Sequence, residues 1–228
     1  MNGSIVSAGM RARVRGLAEP VARGFGRLGL TPNHLTFIGF GIACIAAVAA
    51  AQQAWLAAGL LVLFGGVFDL FDGALARATN KVSKLGAFYD SVFDRWGEGV
   101  VYVGIAWGCA EAGLAAGAML AAAALSASVM VSYARAKSEG LGFTAGSGMA
   151  SVGLAPREVR IVLLTLGLML TGISTNTFVL ALAPGEVCID YCPTSGTTLM
   201  GALALIAILA TITTIQRILH VRAQAREG

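Results

Sequence analysis

Six stretches of the chain stay apolar for about the length of a bilayer crossing: His34 to Trp55, Trp55 to Ala76, Leu85 to Ala110, Leu114 to Ala134, Ile161 to Ala183 and Thr197 to Ile215. A helix needs ~20 such residues to cross a ~30 Å hydrocarbon core, and in lipid every backbone N–H and C=O must be bonded within its own segment. Composition agrees, with 57% hydrophobic and 12% charged residues against roughly 25% charged in an average soluble domain. The expected fold is an all-α integral membrane protein, a single domain over residues 1–228 whose six transmembrane helices occupy 34–220.

The first 30 residues alternate Arg with apolar residues and contain no continuous apolar core, so no cleavable signal peptide is expected. Val14, Ala18, Val21, Phe25 and Leu28 recur at helical spacing, with Arg11, Arg15, Arg23 and Arg27 on other faces. This pattern predicts an amphipathic helix over 10–30 lying on an anionic membrane surface, started or kinked by Pro20. Lys81, Lys84, Arg135, Lys137, Arg157, Arg160, Arg217, Arg222 and Arg226 fall on the same side as this basic start. The turns near Gln52, Glu111 and Pro184 to Gly196 contain no Lys or Arg. Both termini are therefore expected on the cytoplasmic side, with the plasma membrane as the expected location. The net charge of +4 then speaks for anionic lipid and phosphate, and no nucleic-acid partner is expected because no recognition motif accompanies it. Cys44 and Cys109 read as small buried hydrophobes. Cys188 and Cys192 share one outer loop, where an oxidising compartment would permit a disulfide.

One stretch breaks the apolar pattern. DLFDGALARATNKVSKLGAFYDSVFD, Asp69 to Asp94, places four aspartates within two of the spans, where a charge costs several kcal/mol unless it is paired or hydrated. Asp69 and Asp72 are three apart, and Asp90 and Asp94 four apart, so each pair shares a helix face. A hairpin folded about Lys81 brings Asp72 level with Asp90. Four carboxylates together require a cation, and hard oxygen ligands without His or Cys select Mg²⁺, Mn²⁺ or Ca²⁺. Gly73, Ala76 and Gly86 leave a groove beside them, and Arg77 supplies a cation suited to phosphate.

The spacing Asp69, two residues, Asp72-Gly73, two residues, Ala76-Arg77, eight residues, Gly86, three residues, Asp90, three residues, Asp94 resembles the signature of the CDP-alcohol phosphotransferases at every position. The resemblance implies attack by an acceptor hydroxyl on the β-phosphorus of a CDP-linked alcohol, with release of CMP. It implies two divalent cations, Mg²⁺ or Mn²⁺, held by Asp69, Asp72, Asp90 and Asp94, with Asp94 as the base. Asp69, Asp72, Gly73, Ala76, Arg77 and Gly86 would hold the cytidine diphosphate. LTPNHLTFIGF is similar to the family's approach to its first span and adds Thr31, Pro32 and Asn33 at the nucleotide. A homodimer is implied as well. Gly104 and Gly108, and Gly113 and Gly117, form GxxxG pairs that predict close helix contacts, within or between subunits.

Further cations gather where the acceptor must enter. Ser132, Arg135 and Lys137 end the fourth span, Arg157 and Arg160 begin the fifth and Arg217 ends the sixth. Such a cluster suits an acceptor that carries a phosphate. These stretches resemble the phosphatidylinositol phosphate synthase branch, which implies CDP-diacylglycerol and inositol phosphate as substrates. Glycerol phosphate presents the same groups and stays open as the acceptor; serine needs fewer cations. A divalent-cation transporter is the alternative from another class, but the outer halves of the spans offer no acidic pathway.

Overall fold

The computed structural model describes residues 20, 24–79, 82–143, 153–181 and 193–227. Six long helices account for most of them: α1 Pro32–Ala51, α2 Trp55–Ala78, α3 Lys84–Glu111, α4 Ala115–Gly140, α5 Arg157–Ala181 and α6 Pro193–Glu227. Most of the expected surface helix, the turn at Lys81, the Gly/Ser-rich 144–152 loop and the Cys188–Cys192 pair lie outside the described residues.

The helix starts follow local chemistry. Pro32 opens α1, where its missing N–H costs nothing. Thr31 Oγ1 accepts from the His34 N–H (3.3 Å) while His34 Nδ1 accepts from the Thr31 N–H (3.4 Å), a reciprocal cap. Ser83 caps α3 by accepting from the Gly86 N–H at 3.0 Å. Residues Gly24–Arg27 form a helical turn, and Phe25 packs its ring 6.0 Å from Phe68 and 5.8 Å from Phe71 of α2. Leu28, expected on the same buried stripe, is exposed.

The helices pack as a closed ring in the order α1, α2, α5, α6, α4, α3 and back to α1. Every helix contributes to the apolar centre, among them Ala46, Trp55, Ile105, Ala124, Leu168 and Leu203. The outer surface is also apolar, with Ile45, Phe64, Trp107, Met119 and Ile208 exposed, as expected where lipid is the solvent. Helices α1, α2, α4 and the Gly196–Arg226 part of α6 have the length and hydropathy to cross a membrane. The protein is thus an integral membrane protein. Six spans were expected; α3 and α5 are long enough but carry the charges of the site, Asp90, Asp94, Arg95 and Glu98 on one and Arg157, Glu158 and Arg160 on the other.

The first GxxxG pair makes an intrachain contact. Gly104 and Gly108 of α3 lie against the backbone of α1, where a Cβ on either would run into the carbonyl oxygen of Ala47 or Ala50. The second pair has no such role: Gly113, at φ +73°, shapes the turn before α4, and Gly117 meets the side chain of Cys109. Gly104→Leu should therefore separate α1 from α3 and lower the thermal midpoint in detergent sharply, since overpacking costs ~1–3 kcal/mol or more. A midpoint equal to wild type would show that the two helices tolerate a wider spacing.

Candidate active site

The ring brings one end of each helix into a single layer. The start of α1, the end of α2, the start of α3, the end of α4, the start of α5 and the end of α6 carry nearly every polar residue singled out above. Asp69 and Asp72 come from α2, Asp90 and Asp94 from α3, the two helices that flank α1, and the four lie close enough for their charges to act on one another. Asp72 is only 5% exposed, and its Oδ2 accepts from the Thr36 hydroxyl of α1 at 2.9 Å. Gly39, one turn further on, leaves room for Asp69, whose Oδ1 is 3.4 Å from where a Cβ would stand.

A cation already bridges part of this cluster. Arg157 Nη2 donates to Asp69 Oδ2 at 2.8 Å, and its Nη1 lies 2.9 Å from Asp94 Oδ2. Its Nε is buried and has no partner among the described residues. Arg157 was expected among the acceptor cations; the structure puts its guanidinium against the carboxylates themselves. Among the described residues, no three acidic, His or Cys side chains converge as ligands of one ion. The two aspartate pairs were expected to meet at matching depth; two of the four, Asp69 and Asp94, share the Arg157 guanidinium.

The donor set nevertheless fits a divalent cation. All four side chains offer hard oxygens, and the space between Asp69 and Asp94 demonstrably accommodates positive charge. A cavity of about 50 Å³ opens beside Asp69, Asp94 and Arg157, walled toward the apolar centre by Leu61, Val62, Val101 and Leu164.

The nucleotide residues lie beside this cluster. Gly73 faces the Arg77 guanidinium, with Nη1 3.3 Å from a Cβ position there, and Arg77 itself is exposed at the rim. Gly86 meets Asn33 Oδ1 at 3.3 Å, measured from its would-be Cβ, so the approach to α1 adjoins the start of α3. Ala76 is half-buried one turn after Asp72. Thr31 and Pro32 sit at the same end, where both serve the α1 cap.

The acceptor cations divide. Arg217 is buried and close enough to Arg135 and Arg160 for their charges to act on it. Arg135 pairs with Glu139 at 2.8 Å on the α4 surface. Ser132 is half-buried on α4, and Lys137 is exposed. Arg160 does not face an incoming ligand. It is 1% exposed and spends its guanidinium on Glu98 and the Ala155 carbonyl, which removes it from phosphate binding. Thr36 and Glu98 escaped sequence reading; Thr36 could have been found from its place one helical turn after Pro32, on the stretch already under suspicion.

Residues 29–223 match the CDP-alcohol phosphatidyltransferase family. The chain belongs to that family. This transferase is 36% identical over 173 residues to archaetidylinositol phosphate synthase of Pyrococcus horikoshii, covering 76% of the chain and 87% of the relative. It superposes on the crystal structure of Mycobacterium tuberculosis phosphatidylinositol phosphate synthase with manganese and citrate at a TM-score of 0.70, 25% identity, 90% of this chain and 88% of the other. With CDP-diacylglycerol bound to that synthase the values are 0.69, 26%, 90% and 92%. The family is one of transferases, and Asp69, Asp72, Asp90 and Asp94 lie together at one end of the bundle instead of along a path through it.

Proposed function

We propose that this enzyme transfers the phosphatidyl group of CDP-diacylglycerol to a hydroxyl of inositol phosphate, giving phosphatidylinositol phosphate and CMP. The observation that carries the reading is the meeting, at one end of the bundle, of the aspartate cluster with arginines from three further helix ends, Arg135, Arg157 and Arg217. The named relatives are synthases of archaetidylinositol phosphate and phosphatidylinositol phosphate, and the solved relative binds CDP-diacylglycerol and manganese.

In this reading Asp69, Asp72, Asp90 and Asp94 hold two divalent cations, Mg²⁺ or Mn²⁺. Bound there, such cations neutralise the pyrophosphate and ease departure of CMP. Gly73, Ala76, Arg77 and Gly86 receive the nucleotide, bordered by Thr31, Pro32 and Asn33. The acceptor's phosphate meets Arg135, Arg157 and Arg217, with Ser132 and Lys137 at the margin. Asp94 takes the hydroxyl proton as the oxygen bonds to the β-phosphorus and the bond from that phosphorus to the CMP oxygen breaks. The transferase is one domain over 1–228, with 10–30 on the membrane surface and six spans over 34–220. It sits in the plasma membrane as a homodimer, with the site and both termini facing the cytoplasm, where charged substrates are available.

The test is CMP release from CDP-diacylglycerol with inositol phosphate, glycerol phosphate, inositol or serine. Inositol phosphate should be used far better than the rest. Arg157→Ala should raise the acceptor KM about 10-fold or more, because a charge-assisted bond is worth ~1.5–3 kcal/mol, and leave the KM for the lipid nearly unchanged. Use of glycerol phosphate alone would keep the phosphate pocket and overturn the inositol assignment.

A further inference from the structure

Glu98 and Arg160 are buried charges that the proposed chemistry leaves unused. The Glu98 side chain is 5% exposed and that of Arg160 1%. Arg160 donates from Nε to Glu98 Oε1 and from Nη2 to Oε2, both at 3.0 Å. Its Nη1 donates to the Ala155 carbonyl at 3.1 Å, and the Ala155 N–H donates in turn to Thr213 Oγ1 at 2.9 Å. One chain of hydrogen bonds thus runs from α3 through α5 to α6, and it passes through the short segment that leads into α5. Gly153 of that segment, at φ +122°, lies so close to Thr213 that a Cβ would collide with its methyl group. Arg157 comes two residues after Ala155.

The spacing along the helices is as telling. Asp94 and Glu98 are four apart on α3, and Arg157 and Arg160 three apart on α5, so each pair shares a face. Two rungs result, Asp94 to Arg157 and Glu98 to Arg160, and Asp94, Arg157 and Glu98 all line the cavity. Yet α3 and α5 are not neighbours around the ring. The rungs therefore cross the bundle interior, where a buried ion pair is a poor source of stability and its best-attested use is to fix register.

We propose that Glu98, Arg160 and Thr213 are positioning residues that clamp the first turn of α5 and so hold the Arg157 guanidinium at the site. The inference rests on the reading of Arg157 as a binder of the acceptor's phosphate. Arg160→Lys tests it most directly: the charge beside Glu98 stays, but an ammonium lacks the planar fork that reaches both carboxylate oxygens and the Ala155 carbonyl. Thr213→Val keeps the shape and removes the bond to the Ala155 N–H. It is the milder variant, should Arg160→Lys fold poorly.

Steady-state kinetics on the full-length enzyme with CDP-diacylglycerol and inositol phosphate give the readout. Arg160→Lys should raise the acceptor KM about 10-fold and Thr213→Val about threefold, the scale of one charge-assisted and one neutral bond. The KM for the lipid should stay within about twofold. Placed on an Arg157→Ala background, neither change should raise the acceptor KM further, because both act through Arg157. Additive effects, a parallel rise in both KM values or an unchanged acceptor KM would overturn the clamp. If Arg157→Ala alone leaves the acceptor KM unchanged, the phosphate reading of Arg157 fails; a rise with Arg160→Lys would then also overturn the clamp, since it could not act through Arg157.

Discussion

Asp94→Asn is expected to cut turnover at saturating substrates by at least about 100-fold, the low end of what a general base contributes. Asparagine matches aspartate in shape, so the packing of α3 should survive, but its amide cannot take up the acceptor's proton. The side chain of Asp94 is 13% exposed and borders the cavity beside Asp69, so it is within reach of a hydroxyl brought in from that side. The apparent affinity for CDP-diacylglycerol should stay within about threefold of wild type, because three aspartates remain to hold the cations and Arg77 remains to meet the pyrophosphate. Turnover near the wild-type rate would remove Asp94 from the chemistry.

Chelation should silence the wild-type enzyme, Mg²⁺ or Mn²⁺ should restore it, and Asp69→Ala or Asp72→Ala should stay silent at every cation concentration. Carboxylate oxygens from two helices must face the same charge, and removing one leaves a hard cation short of donors. Binding can be followed apart from catalysis. Mn²⁺ should raise the thermal midpoint of wild type, because a ligand of the folded state stabilises it, and should do so far less for Asp72→Ala. Full activity in chelator would refute a cation-dependent reaction.

The aspartate pairs were legible in the sequence because three- and four-residue spacings on a helix and a short hairpin are local facts. That Gly73 lies beside Arg77 is local too, one turn of a single helix, whereas the approach of Gly86 to Asn33 joins distant parts of the chain. What sequence could not supply was the order of helices around the ring. Arg157 reaches Asp69 across 88 positions and Glu98 reaches Arg160 across 62, and nothing in the intervening apolar residues encodes those distances. Arg160 was assigned to a phosphate because a basic residue at a helix end looks alike whether it faces a ligand or a buried glutamate. Neither Glu98 nor Thr36 stood out: one charge in a long apolar run names no partner, and a threonine in a membrane helix ordinarily bonds its own backbone.

The order of the ring separates two tasks along the chain. Helices α2, α1 and α3 adjoin one another, as do α5, α6 and α4, so the bundle is two consecutive halves of the polypeptide meeting along two seams. The first half holds the four carboxylates and the nucleotide groove; the second holds Arg135, Arg157 and Arg217. Under the proposed function, the half that activates the CDP-lipid and the half that chooses the alcohol can vary independently, provided the seams and the two rungs that join the halves through the interior are kept. A family built this way can acquire new headgroups by altering the later helices alone, while the earlier ones preserve one reaction.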